Sequence, residues 1–368
     1  AQCVNHVIAQ SVNYVTLDSC CSPCITKENA EYMVKYIIKR LLNGLIVLLG
    51  VVTITFFITR VVPSDVAGKW AGERATEEQR QQAIAELGLD KPLSTQYVNY
   101  LKDLLSGDLG RSLRTKEPIT KELASYFPAT MELVLVAFLF AMFVGIPMGI
   151  YSAKKNGKML DHTTRFFSIG AVSLPTFWVA MVFQLVFYRL LNWLPLGGRM
   201  SISASLMYDV PNVTGMLILD CILTGSWGLL GDAFVHIILP GFTIALYPIG
   251  LVARMTRSAL LEILNEDYIT AAKSYGIREG RVLWRYALKN SLGATATVVA
   301  LSMGYSLTNT FLTETIFSWP GLGSYVSKSV TTLDYPAIMG IAIISAIFYV
   351  ILNLVADIII ALDPRIRL

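Results

Sequence analysis

The sequence predicts an all-α membrane protein with six transmembrane helices, both termini cytoplasmic, and a small extracytoplasmic insert between the first two spans. Three observations carry that prediction. Hydrophobic residues make up 54% of the 368-residue chain and charged residues only 15%, where a soluble protein carries about a quarter; the mean hydropathy is +0.56. The apolar residues are gathered into runs of about twenty, the length that crosses a hydrocarbon core as a helix. The short connections alternate between rich and poor in Lys and Arg, and the long, mixed-charge loop after the first run is not bound by the charge rule.

Residues 1–32 read as an N-terminal extension of unknown role. They lack the basic start and continuous apolar stretch of a signal peptide. Met33, followed by Val-Lys-Tyr-Ile-Ile-Lys-Arg, reads as a natural start for a first-span membrane protein, which would make the extension a leader or a misassigned start. Cys3, Cys20, Cys21 and Cys24 lie there, and a metal site from three of them with His6 rests on a single Cys-x-x-Cys pair, a weak signal. Residues 33–62 hold the first span, 63–128 the insert, and 129–368 a five-helix core with a cytoplasmic coupling loop at 254–290.

The spans fall at Leu41–Thr59, Leu133–Ala153, Phe166–Tyr188, Ala233–Ala253, Ser291–Thr313 and Pro336–Ala356. Val213–Gly231 is a decoy: Asp220 at its centre would cost about 3 kcal/mol on insertion, so the segment reads as an extracytoplasmic or re-entrant element. Lys154, Lys155, Lys158 and Arg165 follow the second span, and seven basic residues from Arg254 to Lys289 follow the fourth. Arg199 and, at the very end of the third span, Arg189 are the basic residues between spans three and four, and Lys328 alone lies between five and six. Positive charge is retained in the cytoplasm, so both termini face it. A seventh span would put the most basic loop outside.

In the insert, Thr76 to Gly88 reads as a short helix with Thr76 as N-cap and Gly88 past its end, and Gln96–Leu105 as another. Together they read as a subdomain packed on the outer mouth. In the third span Gln184 is a candidate for lining a polar path, as are Ser302, Ser306, Thr308 and Asn309 in the fifth and Asn353 in the sixth; such residues also bond neighbouring helices or backbone. Gly145-Ile-Pro-Met-Gly149 in span two suits close helix packing, with a subunit interface as one place for it.

The stretch from Asn265 to Gly276 is polar and helix-forming between two spans. Asn265 is a suitable N-cap, Glu266 and Asp267 complement the helix dipole, and Gly276 can end the helix in a left-handed conformation. Asp267, Tyr268, Ala271, Ala272 and Gly276 are the candidates for docking a soluble partner: Tyr268 as an apolar anchor, the alanines permitting close approach. Beyond the fifth span, Glu314 to Gly323 reads as a structured outer hairpin, with Glu314, Phe317 and Trp319 as candidate gate residues. The aromatics alone also suit interface anchors.

These strings, in order, resemble the inner-membrane permease subunits of ATP-binding-cassette importers of the oligopeptide/dipeptide/nickel class. Thr270-Ala-Ala-x-x-x-Gly276 is similar to that family's Glu-Ala-Ala-x-x-x-Gly loop, with Thr270 in place of Glu. Leu89-Asp-Lys-Pro-Leu with Gln96-Tyr97, Gly107-Asp-Leu-Gly-Arg-Ser112, Pro128-Ala-Thr-x-Glu-Leu133, Ser173-Leu-Pro-Thr-Phe-Trp178, Glu314-Thr-Ile-Phe-Ser-Trp-Pro-Gly-Leu-Gly323 and Asp334-Tyr-Pro336 complete the match. Pro63-Ser-Asp-Val and Gly293-Ala294 depart from the usual pattern.

The resemblance implies a non-catalytic permease that forms half of the path for short peptides. It implies a second, distinct homologous permease, two ATPase subunits gripped through the cytoplasmic helix, an extracytoplasmic substrate-binding protein, and a site in the cell membrane among lipid. Oligosaccharides or nickel complexes are alternative cargoes. No cofactor or metal is expected in this chain; ATP and Mg belong to the partner ATPases, and nucleic acid has no part. The chain has no Gly-x-x-x-x-Gly-Lys-[Ser/Thr] to cradle phosphates, and its spans lack the clustered acids that an ion-driven carrier uses.

Overall fold

The computed structural model describes residues 27–61, 66–72, 75–86 and 88–361. The cysteines before residue 25, His6, and the basic tail from Arg365 lie outside them. Among the described residues every regular element is helical, and the sole strand-like feature is an isolated bridge between Arg111 and Pro118. The chain divides at residues 45 and 46: the first unit is the opening half of helix α1 (Lys27–Val61), and all that follows concerns the second.

The insert contains α2 (Val66–Ala71), α3 (Glu77–Glu86) and α4 (Leu93–Leu105). Helix α3 starts with a capping box: the Thr76 N–H donates to Gln79 Oε1 at 2.9 Å, and the Gln79 N–H to Thr76 Oγ1 at 3.4 Å. Helix α4 starts three residues before the expected Gln96 and packs on α1, where Phe56 meets the rings of Tyr97 and Tyr100 and the hydroxyls of Thr53 and Tyr97 lie 2.7 Å apart. The insert is thus tied to the bundle by aromatic packing.

The second span lies in a continuous helical run from Ile119 to Lys154, made of α5 (Ile119–Phe140), a π-turn at Ala141–Gly145 and α6 (Ile146–Lys154). Pro128 sits inside α5. The third expected span is not one helix. Helix α7 (Met159–Ser173) and α8 (Thr176–Phe183, continued as a π-turn to Leu190) meet at 107°. Pro175 has no N–H to continue the ladder and forces the preceding residue out of helical geometry, so Leu174 is extended at ψ 135°.

Two short helices follow, α9 (Ile202–Met207) and α10 (Leu217–Thr224), the latter ended by left-handed Gly225. The decoy segment therefore holds an eight-residue helix, about 12 Å long and too short to cross a bilayer. Its buried Asp220 accepts hydrogen bonds from the backbone N–H groups of Val213, Thr214 and Gly215 and from the Thr214 hydroxyl.

Helix α11 (Trp227–Leu264) is the axis of the fold. Its buried face joins Ile237, Ile244, Ile249 and Val252 to Leu133, Ala137 and Ala141 of the second-span run. The Gly145 and Gly149 pair lies on that contact: a Cβ at Gly149 would stand 2.6 Å from the Ala253 carbonyl oxygen, and one at Gly145 3.1 Å from Val252. The pair thus serves packing within the chain.

The remaining helices are α12 (Asp267–Ser274), α13 (Glu279–Arg281, leading through a π-turn), α14 (Leu288–Ile316), α15 (Leu322–Thr331) and α16 (Tyr335–Ala361). Among the described residues four helical runs are long and apolar enough to cross a membrane, five if the bent α7–α8 pair counts as one. Helix α14 is 29 residues long, about 43 Å, but its many hydroxyls lower its apolarity.

Candidate functional site: coupling helix and outer clamp

The helix expected between Asn265 and Gly276 is the shorter α12, Asp267–Ser274. Asn265 does not cap it: Asn265 closes α11, and Glu266, extended at ψ 147°, occupies the N-cap with no side-chain bond. Two residues thus link a 38-residue helix to an eight-residue one. At the other end Gly276 has φ +75°; its N–H bonds the Lys273 carbonyl at 3.0 Å and the Ile277 N–H bonds that of Ala272 at 3.3 Å. This is the left-handed Schellman stop that glycine favours.

The two alanines part company. Ala271 is exposed, whereas Ala272 is buried and packs with Ile269 against Ile150, Ala153 and Leu260. Ala272 and Ile269 therefore hold α12 to its own chain. Asp267 and Tyr268 face outward, and the Tyr268 hydroxyl accepts from Asn290 Nδ2 at 2.8 Å. Tyr275, 88% exposed, stands two turns from Tyr268 on the same face; the seven-residue spacing is the signal that marks it. Arg278, Arg281, Trp284 and Arg285 extend this exposed surface.

The Glu314–Gly323 hairpin is a buried clamp. Glu314, Phe317 and Trp319 are all sheltered from solvent, so the aromatics are not interface anchors. Glu314 accepts from Thr130 Oγ1 and from the Gly323 N–H, each at 2.6 Å; the Leu322 N–H donates to Thr130 Oγ1 at 2.8 Å and Trp319 Nε1 to the Ala129 carbonyl at 2.9 Å. Two strings distant in sequence, at Pro128 and at Glu314, thus close on each other. Gly197 permits a third loop to join, because a Cβ there would stand 2.1 Å from the Phe317 carbonyl oxygen.

The same logic recurs beside it. Buried Asp334 accepts from the Ser112 hydroxyl and from the Leu113 N–H at 3.0 Å, joining the Asp-Tyr-Pro string to Gly107–Ser112. Glu132 accepts from Arg199 Nη2 and from the Ile218 N–H, each at 2.6 Å. On the opposite, basic side, buried Asp161 accepts from Arg257 Nε at 2.6 Å and Nη2 at 2.8 Å and from Ser152 Oγ at 2.6 Å. The Arg257 hydrogen bonds hold the Asp161 carboxyl well below the usual carboxylate range, against the opposing effect of burial. Sequence reading treats Arg257 and Arg199 only as loop charges; Asp161, the lone acid among Lys154, Lys155, Lys158 and Arg165, is a signal for the first pairing, and nothing local to Glu132 marks the second.

The path candidates mostly serve backbone. Gln184 donates to the carbonyls of Leu196 at 2.9 Å and Ile316 at 3.0 Å. Ser302 and Ser306 are buried and bond their own helix at Val299 and Ser302. Asn309 and Asn353 bond the carbonyls of Tyr305 and Tyr349; the Thr308 side chain lies outside the described residues. The open face of α14 presents Leu301, Tyr305 and Leu312, with Tyr305 stacked on Tyr247 at 4.1 Å.

A family model described as the binding-protein-dependent transport system inner membrane component matches residues 145–368, and that of the N-terminal part of such membrane components matches residues 33–134. A probable D,D-dipeptide transport system permease protein of Escherichia coli is 42% identical over 87% of this chain and 94% of its own length. A dipeptide transport system permease protein of Alkalihalophilus pseudofirmus is 38% identical over 91% and 100%, and an oligopeptide transport system permease protein of Bacillus subtilis 32% identical over 91% and 100%. With a matching family model across its core, full-length relatives, and membrane-length apolar helices, this chain belongs to the binding-protein-dependent transport family as an inner-membrane component, a multi-pass permease of the cell membrane.

Proposed function

We propose that the chain is one of two permease subunits of an ATP-driven importer of short peptides, engaging a separate ATPase through the exposed face of α12. The observation that carries the coupling is that α12 is anchored by Ile269 and Ala272 while Tyr268, Ala271 and Tyr275 remain uncovered. Peptide cargo is supported by the relatives' names as dipeptide and oligopeptide permeases. Six spans, with α14 as the fifth, α7–α8 as a broken third and both termini in the cytoplasm, belong to this reading, and the positions of the basic loops support it.

ATP and Mg belong to the two ATPase subunits, and this chain has no catalytic role. A second, homologous permease completes the path, and a substrate-binding protein delivers cargo at the outer clamp. When the ATPases close, each pulls on one α12. The two-residue link passes that motion to α11 with little slack, and α11 carries it to the Glu314 clamp through α5. This is rigid-body switching of a packed element, with ATP supplying the free-energy difference between states.

The test is uptake of a labelled dipeptide into vesicles holding the four membrane-associated subunits, with the binding protein added. Tyr275→Ala with Ala271→Arg should abolish ATP-dependent uptake while assembly of the two permeases persists. Wild-type uptake by this variant would sink the docking assignment.

A further inference from the structure

The basic ends of α7 and α11 enclose a cavity of about 210 Å³ that neither the coupling surface nor the outer clamp uses. Arg165, Arg254 and Arg257 line it, with Thr164 and Ser168. Arg257 is committed on one edge only: Nε and Nη2 bond Asp161, and Nη2 also bonds Asn156 at 2.9 Å. Among the described residues Nη1 of Arg257 makes no hydrogen bond. Arg165 and Arg254 form no ion pair there either, and both are exposed. The single acid beside them, Asp161, is already neutralised by Arg257, so the cavity carries an excess of positive charge.

A second, independent feature points the same way. Ser168 is 3% exposed, and its hydroxyl has no hydrogen-bond partner. A buried, unpartnered hydroxyl is unfavourable, and a ligand acceptor would relieve it. The approach of the helices makes this pocket: a Cβ at Gly250 would stand 2.8 Å from the Ser168 carbonyl oxygen. Two free guanidinium groups, the open edge of a third and a hydroxyl donor form a tetrahedral-anion set. Ile169, 59% exposed, lines the cavity one turn beyond Arg165 and offers apolar contact beside the charges.

We propose that this cavity binds a phosphate group, and that an anionic phospholipid headgroup of the cytoplasmic leaflet supplies it, its acyl chain lying along Ile169. The leaflet assignment rests on the orientation given above. A phosphate held between Arg165 and Arg254 ties α7 to α11 a few turns above α12, so lipid occupancy sets how freely the coupling motion reaches the core.

The test is thermal unfolding of the full chain, freed of lipid in detergent, against added short-chain phosphatidylglycerol, phosphatidylcholine or inorganic phosphate. Phosphatidylglycerol should raise the melting temperature. The concentration needed should rise about tenfold or more in Arg165→Gln/Arg254→Gln. Ser168→Ala should melt no lower than wild type without lipid, yet also need more phosphatidylglycerol; a merely structural serine would not separate these two readouts. An arginine-dependent response to inorganic phosphate alone would overturn the lipid source. Equal responses in wild type and both variants would overturn the site. Labelling Lys158→Cys from the cytoplasmic side locates the loop independently, so an inverted topology and an empty cavity give different results.

Discussion

Replacing each of two adjacent alanines with aspartate should separate folding from docking. In α12, Ile269 is fully buried and Ala272 nearly so, both against Ile150, Ala153 and Leu260. Burial of an isoleucine contributes about 1.5–3 kcal/mol and an alanine methyl about 0.8. The helix is therefore held to the core by about 3 kcal/mol. A carboxylate at 272 is too short to reach water from that site, and burying it unpaired would cost more than this. Ala272→Asp should accordingly release α12 rather than unfold the chain. Hydrogen exchange is the assay: amides of 271–277 should lose about 100-fold of protection, the equivalent of about 3 kcal/mol, while the helices of the bundle keep theirs. Ala271→Asp, on the exposed face, should leave exchange unchanged and weaken only the association with the ATPase. Unaltered protection in Ala272→Asp, or loss of protection in Ala271→Asp, would refute the assignment of inner and outer faces.

Three further perturbations probe the rest of the fold. Arg257→Gln leaves Asp161 buried without its cation and should destabilise by about 3–5 kcal/mol, read as a lowered midpoint in thermal or denaturant unfolding; Asp161→Asn/Arg257→Gln should recover part of that loss. Because the Asp161 carboxyl is depressed in the folded state, the pair stabilises fully above the ordinary carboxylate value and the benefit is lost as pH falls. The gap between wild type and Asp161→Asn should therefore shrink below about pH 4. Asp334→Ala strips buried donors at Ser112 and Leu113 of their acceptor and should cost about 2–4 kcal/mol, with increased protease cleavage near Gly107–Ser112. Gly149→Val drives a side chain into the Ala253 carbonyl and should cost about 1–3 kcal/mol or more, measured as reduced thermal stability of the purified chain.

How much of this was legible depended on the range of the interaction. The apolar runs were readable because a bilayer imposes a length on every helix that crosses it, and the turn at Gly276 was readable because few other residues accept φ +75°. The break at Pro175 was written in Ser-Leu-Pro, yet an apolar count passes over it. Ala271 and Ala272 are equivalent as letters; their separation of about 100° around the helix decides which is buried only once Ile150 and Leu260 are in place. The acids of the motifs were least legible. Asp334 meets Ser112 across 222 positions and Glu314 meets Thr130 across 184, and nothing local to either acid names its partner. Gln184, Ser302 and Ser306 read as path residues because polarity in an apolar run suggests a ligand, but a helix or loop carbonyl is nearer to each of them.

The most direct measurement of the central claim is ATP-dependent uptake of a labelled dipeptide by the purified, reconstituted importer. The account predicts that uptake needs this chain, its homologous partner, both ATPases and the loaded binding protein. It also predicts that uptake stops when Tyr275 and Ala271 are altered although the permeases still assemble. Uptake by this chain alone, driven by an ion gradient without ATP, would contradict it.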